Sequence, residues 1–270
     1  KKLTNEIKKI INDRYYPILI DQEGGKVNRL KKFIETATLT SEYFGKLYKK
    51  DKRKFYKFYT VFISQNSYLL NELGINLNTA PVLDVRRFKS NKIIGNRSFS
   101  TNVNDVSIIG DFCIKEFHKK KIGTVIKHIP GHGLAKSDSH KLTPIVIEKK
   151  EILFKNDFKA FSNKKSLFAM TAHIIYKNID PINTATHSSK IINLIRNHIG
   201  FKNVIMSDDI SMKALNYSIK ENTLKAFNAG CNLVLHCNGK ISEMRIVAEN
   251  SPIINKFILK KTSQFYKFLR

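Results

Sequence analysis

The chain is short of acid, has few cysteines and contains no long apolar run, and each shortage removes a class of function. Among 270 residues, 48 Lys and Arg face 22 Asp and Glu, a formal net charge of +26 at pH 7. Such an excess points first to nucleic acid or an anionic membrane surface. The cations, however, are scattered through Lys49-Lys50-Asp51-Lys52-Arg53-Lys54, Lys119-Lys120-Lys121, Lys149-Lys150 and Lys260-Lys261, with no nucleic-acid-binding motif around them. The expectation is a solvated basic surface that could steer an anionic substrate, with no nucleic-acid partner. The three cysteines, Cys113, Cys231 and Cys237, show no metal-ligand spacing. Cys231 and Cys237 fall in one apolar run where both would face the same way, so buried free thiols in a reducing compartment are expected. The apolar stretch from Tyr15 to Ile20 is far below the roughly 20 residues that cross a bilayer. No membrane span and no signal peptide are expected, and the location is read as cytoplasmic. A glycine-rich nucleotide loop, a serine-nucleophile elbow and a zinc-finger pattern are also missing, so no cofactor is expected.

What is present suits one globular core. A hydrophobic content of 42% over 270 residues fits a single domain, taken as residues 1–270, and a monomer is expected. One unit recurs: an amphipathic stretch, a glycine, a short β-branched run, then polar residues. Phe55, Phe58, Tyr59, Phe62, Ile63, Leu69, Leu70 and Leu73 recur at helical spacing and stop at Gly74. The same pattern leads to Gly123 before Thr124-Val125-Ile126-Lys127-His128, to Gly200 before Asn203-Val204-Ile205-Met206-Ser207-Asp208, and to Gly230 before Leu233-Val234-Leu235-His236. Glycine past a helix end permits the left-handed turn that reverses the chain. With Ile18-Leu19-Ile20-Asp21 and Leu167 to His173 added, six strands are expected, each apolar enough to be buried on both faces as parallel strands are.

Ionisable residues gather at one end of these strands: Asp21, Asp84, Lys127 with His128, His173, Asp208 with Asp209, and His236. In a closed parallel barrel the carboxyl ends of all strands meet at one mouth, where active sites are built. A doubly wound open sheet would instead want a topological switch and usually a glycine-rich phosphate loop. The fold expected is therefore α/β, a (β/α)8 TIM-type barrel.

The rim segments, in order, are Asp21-Gln22-Glu23-Gly24-Gly25-Lys26-Val27-Asn28-Arg29, Ala80-Pro81-Val82-Leu83-Asp84, Ile94-Gly95-Asn96-Arg97-Ser98-Phe99, Lys127-His128-Ile129-Pro130-Gly131-His132-Gly133, Asp138-Ser139-His140 and Ser207-Asp208-Asp209-Ile210-Ser211-Met212. They resemble, in family order and from about Ile18 to about Asn238, the signature blocks of the glycoside hydrolase family 3 β-N-acetylhexosaminidases of peptidoglycan recycling. That family has a barrel strand before the Asp-Gln-Glu-Gly-Gly block which this chain does not contain, so a barrel short of its first strand is expected.

The resemblance implies retaining hydrolysis of terminal β-N-acetylglucosamine from N-acetylglucosaminyl-1,6-anhydro-N-acetylmuramyl peptides. A retaining glycosidase needs one carboxylate to attack the anomeric carbon and a second group to protonate the leaving oxygen. Asp208 matches the nucleophile. Neighbouring side chains on a strand face opposite ways, so only one of Asp208 and Asp209 can enter the mouth. His140 with Asp138 matches the acid–base dyad of this subgroup, on a loop whose glycines and serines suit closure. Asp21, Arg29, Arg97, Lys127 and His128 match positions that hold the sugar. His132 and His173 stay open between hydrogen bonding within loop or core and support of the site. Other readings are a metal site from His128, His132, His140 and Asp138, a family 3 β-glucosidase, or a basic binding protein without catalysis. The Asp138-Ser139-His140 block speaks against the glucosidase.

Overall fold

The computed structural model describes residues 1–87, 94–135 and 142–270. Its centre is a sheet of six strands: β1 (Leu19–Ile20), β2 (Leu77–Asn78), β3 (Gly123–Ile129), β4 (Phe168–Thr171), β5 (Val204–Asp209) and β6 (Leu233–Leu235). They lie side by side in chain order, each neighbouring pair parallel, with β1 and β6 at the edges. An unbroken sequential order with helical crossovers is the topology of a (β/α) barrel, whereas a doubly wound sheet reverses its order part-way. All six expected strands are found in this sheet, a curled run of the barrel expected to lack its first strand. A short antiparallel hairpin, Gln22–Gly24 with Val27–Asn28, folds over directly after β1.

The strands alternate as period two requires. Ile126, Ala169 and Ile205 pack outward against Leu70, Ile109, Phe117, Ile191 and Ile195 of the surrounding helices. Leu77, Val125, Phe168, Met170, Val204 and Met206 point the other way, into the barrel. Two residues further along, the same inner face carries Thr79, Lys127 and Asp208, so an apolar floor lies beneath a polar mouth. The floor is closed from below by Phe265 of the C-terminal helix Lys256–Leu269, whose ring meets Phe168 edge-on with centroids 5.4 Å apart.

The helix expected before Gly74 runs from Lys52 to Glu72, with Asp51 capping its start by accepting the Lys54 N–H. Tyr59, Phe62 and Ile63 are buried, while Phe58 faces solvent. Gly230 closes the helix Ile219–Ala229 in the left-handed region, at φ +110°. Gly123 departs from expectation. The left-handed residue of that junction is Lys121, at φ +59°. Gly123 is glycine because a Cβ there would lie 2.6 Å from Leu77 Cδ2 and 2.8 Å from Phe265 Cε2. The cysteine reading also needs correction. Cys113 and Cys231 are buried free thiols, but Cys237 is exposed, because β6 stops at Leu235 and Cys237 lies beyond its pairing.

Among the described residues, no helix is long and apolar enough to cross a membrane. Truncating the plug, Phe265→Ala, should cost about 3–5 kcal/mol of unfolding free energy, the usual penalty for emptying a buried aromatic site. Urea titration that showed under 1 kcal/mol would mean the helix only rests on the barrel floor.

Candidate active site

The carboxyl ends of the strands enclose a cavity of about 150 Å³ that contains Asp21, Arg29, Arg97, Lys127, His128 and Asp208 in its wall. Glu23, His132 and Met170 complete much of the rest. Thus the six expected residues that fall within the described chain converge on one space. Asp138 and His140 lie outside the described residues.

The strongest feature is a buried cation. Lys127 projects from β3 with its side chain 3% exposed, and its Nζ donates to Asp21 Oδ1 at 3.0 Å and to Thr79 Oγ1 at 2.8 Å. Glu23 Oε1 lies 2.5 Å from the same nitrogen. Arg97 grips Glu23 with both arms of its fork, Nε to Oε2 and Nη2 to Oε1, each at 2.8 Å. Arg29 stands further out, 3.8 Å from Asp21 Oδ2, and is largely solvated. Burial alone would raise the pKa of Glu23, but Lys127 and Arg97 outweigh it and hold the carboxyl at about 2. Asp21 is likewise held below its usual range, with Lys127, the Thr79 hydroxyl and Arg29 overcoming burial.

A second carboxylate, Asp84, is wholly buried beneath the histidines. Its Oδ2 accepts from His128 Nδ1 at 2.7 Å, and its Oδ1 accepts the main-chain N–H groups of His128 and His132 at 3.2 and 2.7 Å. Donation from Nδ1 to a carboxylate selects the ring tautomer and leaves further chemistry to Nε2. The His132 ring sits 5.7 Å from that of His128, and burial pushes its pKa down to about 4. Both Lys127 and His128 reach the cavity although they are adjacent in sequence. The pairing of β3 with β4 shifts register between Lys127 and Ile129, which breaks strict alternation there.

Asp208 ends the inner column of β5 and faces the cavity. Burial works against its ionised form, yet His173, His128, the Asp209 N–H and Lys127 keep its pKa below the ordinary carboxylate value. Asp209 turns away and accepts from Ser211 N, Ser211 Oγ and Cys237 N. His173 does not line the cavity. Its Nδ1 meets Thr186 Oγ1 at 2.7 Å and its Nε2 meets the Asp209 carbonyl at 3.0 Å, so it braces the backbone behind Asp208. His236, expected at the mouth, pairs with Glu243 at 2.8 Å instead. Among the described residues, no group of three or more His, Cys, Asp or Glu is arranged to hold a metal ion.

Residues 3–261 match the model of the glycosyl hydrolase family 3 N-terminal domain. The chain belongs to glycosyl hydrolase family 3. A β-hexosaminidase of Actinobacillus pleuropneumoniae serotype 5b is 34% identical over 231 residues, which is 82% of this chain and 65% of that protein. A β-hexosaminidase of Haemophilus ducreyi is 33% identical over 249 residues, 88% of this chain and 70% of the relative. Family 3 structures superpose well. NagZ from Neisseria gonorrhoeae in complex with N-trifluoroacetyl-D-glucosamine gives a TM-score of 0.86 at 28% identity, covering 98% of this chain and 77% of that one. A family 3 β-N-acetylglucosaminidase from Paenibacillus sp. gives 0.82 at 26% identity, covering 99% and 52%. The chain thus spans 65% of the length of the first of these curated relatives.

Within this family 3 cavity, two acids had no role assigned from sequence. Glu23 stands two residues after Asp21, and that spacing already put both on one side of an extended segment. Asp84 was placed at the rim, but its partnership with His128 depends on two strands meeting. Behind them, Asp157 packs closely against the Gly131–Gly133 turn. A Cβ at Gly131 would lie 2.6 Å from Asp157 Cβ, and one at Gly133 would lie 2.5 Å from Asp157 Oδ1. The Tyr176 hydroxyl donates to the Gly131 carbonyl at 2.5 Å.

Two outcomes follow from these buried charges. Lys127→Met should leave Asp21 and Glu23 crowded without their shared cation and lower stability by about 3–5 kcal/mol; wild-type stability in urea would show that the ammonium is not the organiser. Burial raises the Asp157 pKa from 3.8 to about 7 despite nearby Arg87. Between those values the folded state keeps a proton that the unfolded state has released, so this group's contribution to stability falls as pH rises. Asp157→Asn should therefore gain on the wild type from pH 4 to pH 7, by up to about 4 kcal/mol. A stability difference independent of pH across that window would contradict the assignment.

Proposed function

We propose that the chain hydrolyses terminal, non-reducing β-linked N-acetylglucosamine, with retention, through a covalent glycosyl-enzyme on Asp208. One observation carries the choice of nucleophile. Asp21 and Glu23 are engaged by cations and Asp84 by two histidine residues, whereas Asp208 accepts only the Asp209 N–H among the described residues. It is ionised, faces the cavity and, among the described residues, is in no ion pair, so its lone pairs remain to offer. Asp21, Arg29, Arg97, Lys127 and His128 would hold the sugar hydroxyls, with the paired charges acting as fixed donors and acceptors.

In the first step Asp208 attacks the anomeric carbon while His140, oriented by Asp138, protonates the departing oxygen. In the second, the same imidazole removes a proton from the water that releases the sugar. The substrate best suited to this site is an N-acetylglucosaminyl-1,6-anhydro-N-acetylmuramyl peptide. Its lactyl and peptide carboxylates are anionic, and the net charge of +26 would raise its local concentration. The names of the β-hexosaminidase relatives and of NagZ support the sugar specificity. The free cysteines suit a reducing compartment, and we place the activity in the cytoplasm.

The test uses 4-nitrophenyl N-acetyl-β-glucosaminide beside the corresponding β-glucoside. The wild type should release nitrophenol from the first and not the second. Asp208→Asn should nearly abolish turnover, and His140→Ala should lower kcat on the order of 100-fold, as loss of a general acid–base does. Full activity in both variants would overturn the mechanism.

A further inference from the structure

A second cavity, of about 80 Å³, opens between the loops that follow β4 and β5. Its wall includes Thr143, Thr184, His187, Asn216 and Tyr217. Two buried polar atoms there have no hydrogen-bond partner among the described residues, His187 Nε2 and Thr184 Oγ1. Both residues are more than nine-tenths buried, His187 at 8% exposure and Thr184 at 6%. Buried polar groups are almost always satisfied, so such a pair facing a cavity marks a missing partner.

The chemistry of that partner can be narrowed. Burial, with repulsion from neighbouring His173 and Lys225, pushes the His187 pKa down to about 4, so the ring is neutral. A neutral ring in its Nδ1–H tautomer presents a bare acceptor at Nε2, while the Thr184 hydroxyl can donate or accept. A partner that supplies an N–H or O–H together with an acceptor satisfies both atoms. Among the described residues, no Asp, Glu, Lys or Arg lines it, which speaks against recognition of a carboxylate or amine. Ile175, Ala214 and Leu215 add an apolar side. A single water needs about 10–15 Å³, so the space suits a group of a few heavy atoms with a methyl, such as an acetamide.

The position fits the departing half of a substrate. The groups that would hold the sugar come from the ends of β1 and β3 and from the segments that follow β1 and β2, whereas Asp208 stands near the end of β5, further along the sheet. A bond broken above Asp208 would send its leaving group outward over the loops after β4 and β5, where this cavity lies. Thr143 ties these parts together, since its hydroxyl donates at 2.7 Å to the carbonyl of Ala214, six residues beyond Asp208.

We propose that this cavity is a leaving-group subsite that receives an amide of the departing sugar or its peptide, with His187 accepting the N–H and Thr184 bonding the amide oxygen. The inference rests on the glycosidase reading above. The test compares kcat/KM for N-acetylglucosaminyl-β-1,4-N-acetylglucosamine with that for N-acetylglucosaminyl-β-1,4-glucose, which lacks the second acetamide. The wild type should favour the first on the order of tenfold, the value of one or two well-placed hydrogen bonds. Thr184→Val with His187→Leu should bring that ratio near one. Asn216→Trp, an exposed change at the cavity mouth, should do the same without touching the buried pair. A wild-type ratio near one, or a tenfold ratio kept in both variants, would overturn the subsite. If the wild type failed to cleave even the nitrophenyl N-acetylglucosaminide, the underlying glycosidase reading would fall and the subsite with it.

Discussion

A single buried ammonium organises the mouth of this barrel. An unpaired charge of that kind costs several kcal/mol in a low-dielectric setting, so Lys127 at 3% side-chain exposure must draw carboxylates to itself. It draws Asp21 from the end of β1 and Glu23 from the hairpin beyond. Glu23 in turn fixes Arg97 from the segment between β2 and β3. Four side chains from three separate parts of the chain are thereby locked, and among the described residues the pairing leaves Asp208 without a committed cation. The electrostatics of the cavity thus follow from one lysine placed on one strand.

The parallel sheet decides where that lysine can stand. Each inner face reads apolar first and polar last: Val125 then Lys127, Met206 then Asp208, Leu77 then Thr79. Apolar packing stabilises the lower layers, with Phe265 closing the floor. Polar groups are admitted only at the last layer, where strand ends, hairpin and loops can satisfy them. Glycosyl hydrolase family 3 membership therefore appears in this chain as a layered core with its chemistry at one end.

The surplus of positive charge lives elsewhere. Lysines in the scattered runs are mostly exposed, whereas the buried cations are each matched: Lys127 and Arg97 in the cavity, and Lys164 with Asp111 at 2.7 Å beside Ser107. Net charge describes what approaches the molecule; it does not describe the interior of the site. His173 and Asp209 show a similar division, because they hold the end of β5 in place and leave the open face to Asp208.

Much of this was legible in the linear chain because it is local. Strand periodicity, helix stops and the order of the rim motifs depend on neighbours within a few residues, and all six strands appear where those patterns put them. The alternation rule also dictated that Asp208 and Asp209 could not both enter the mouth. What it could not decide was which of the two did, since that depends on the strand's rotation against β4 and β6. The same holds for Gly123, whose reason is Phe265 arriving from 142 residues away, and for Cys237, exposed because β6 ends early. Glu23, Asp84 and the amide-sized cavity at His187 belong to the same class. Their meaning comes from partners distant in sequence, and only the folded packing brings those partners within hydrogen-bonding range.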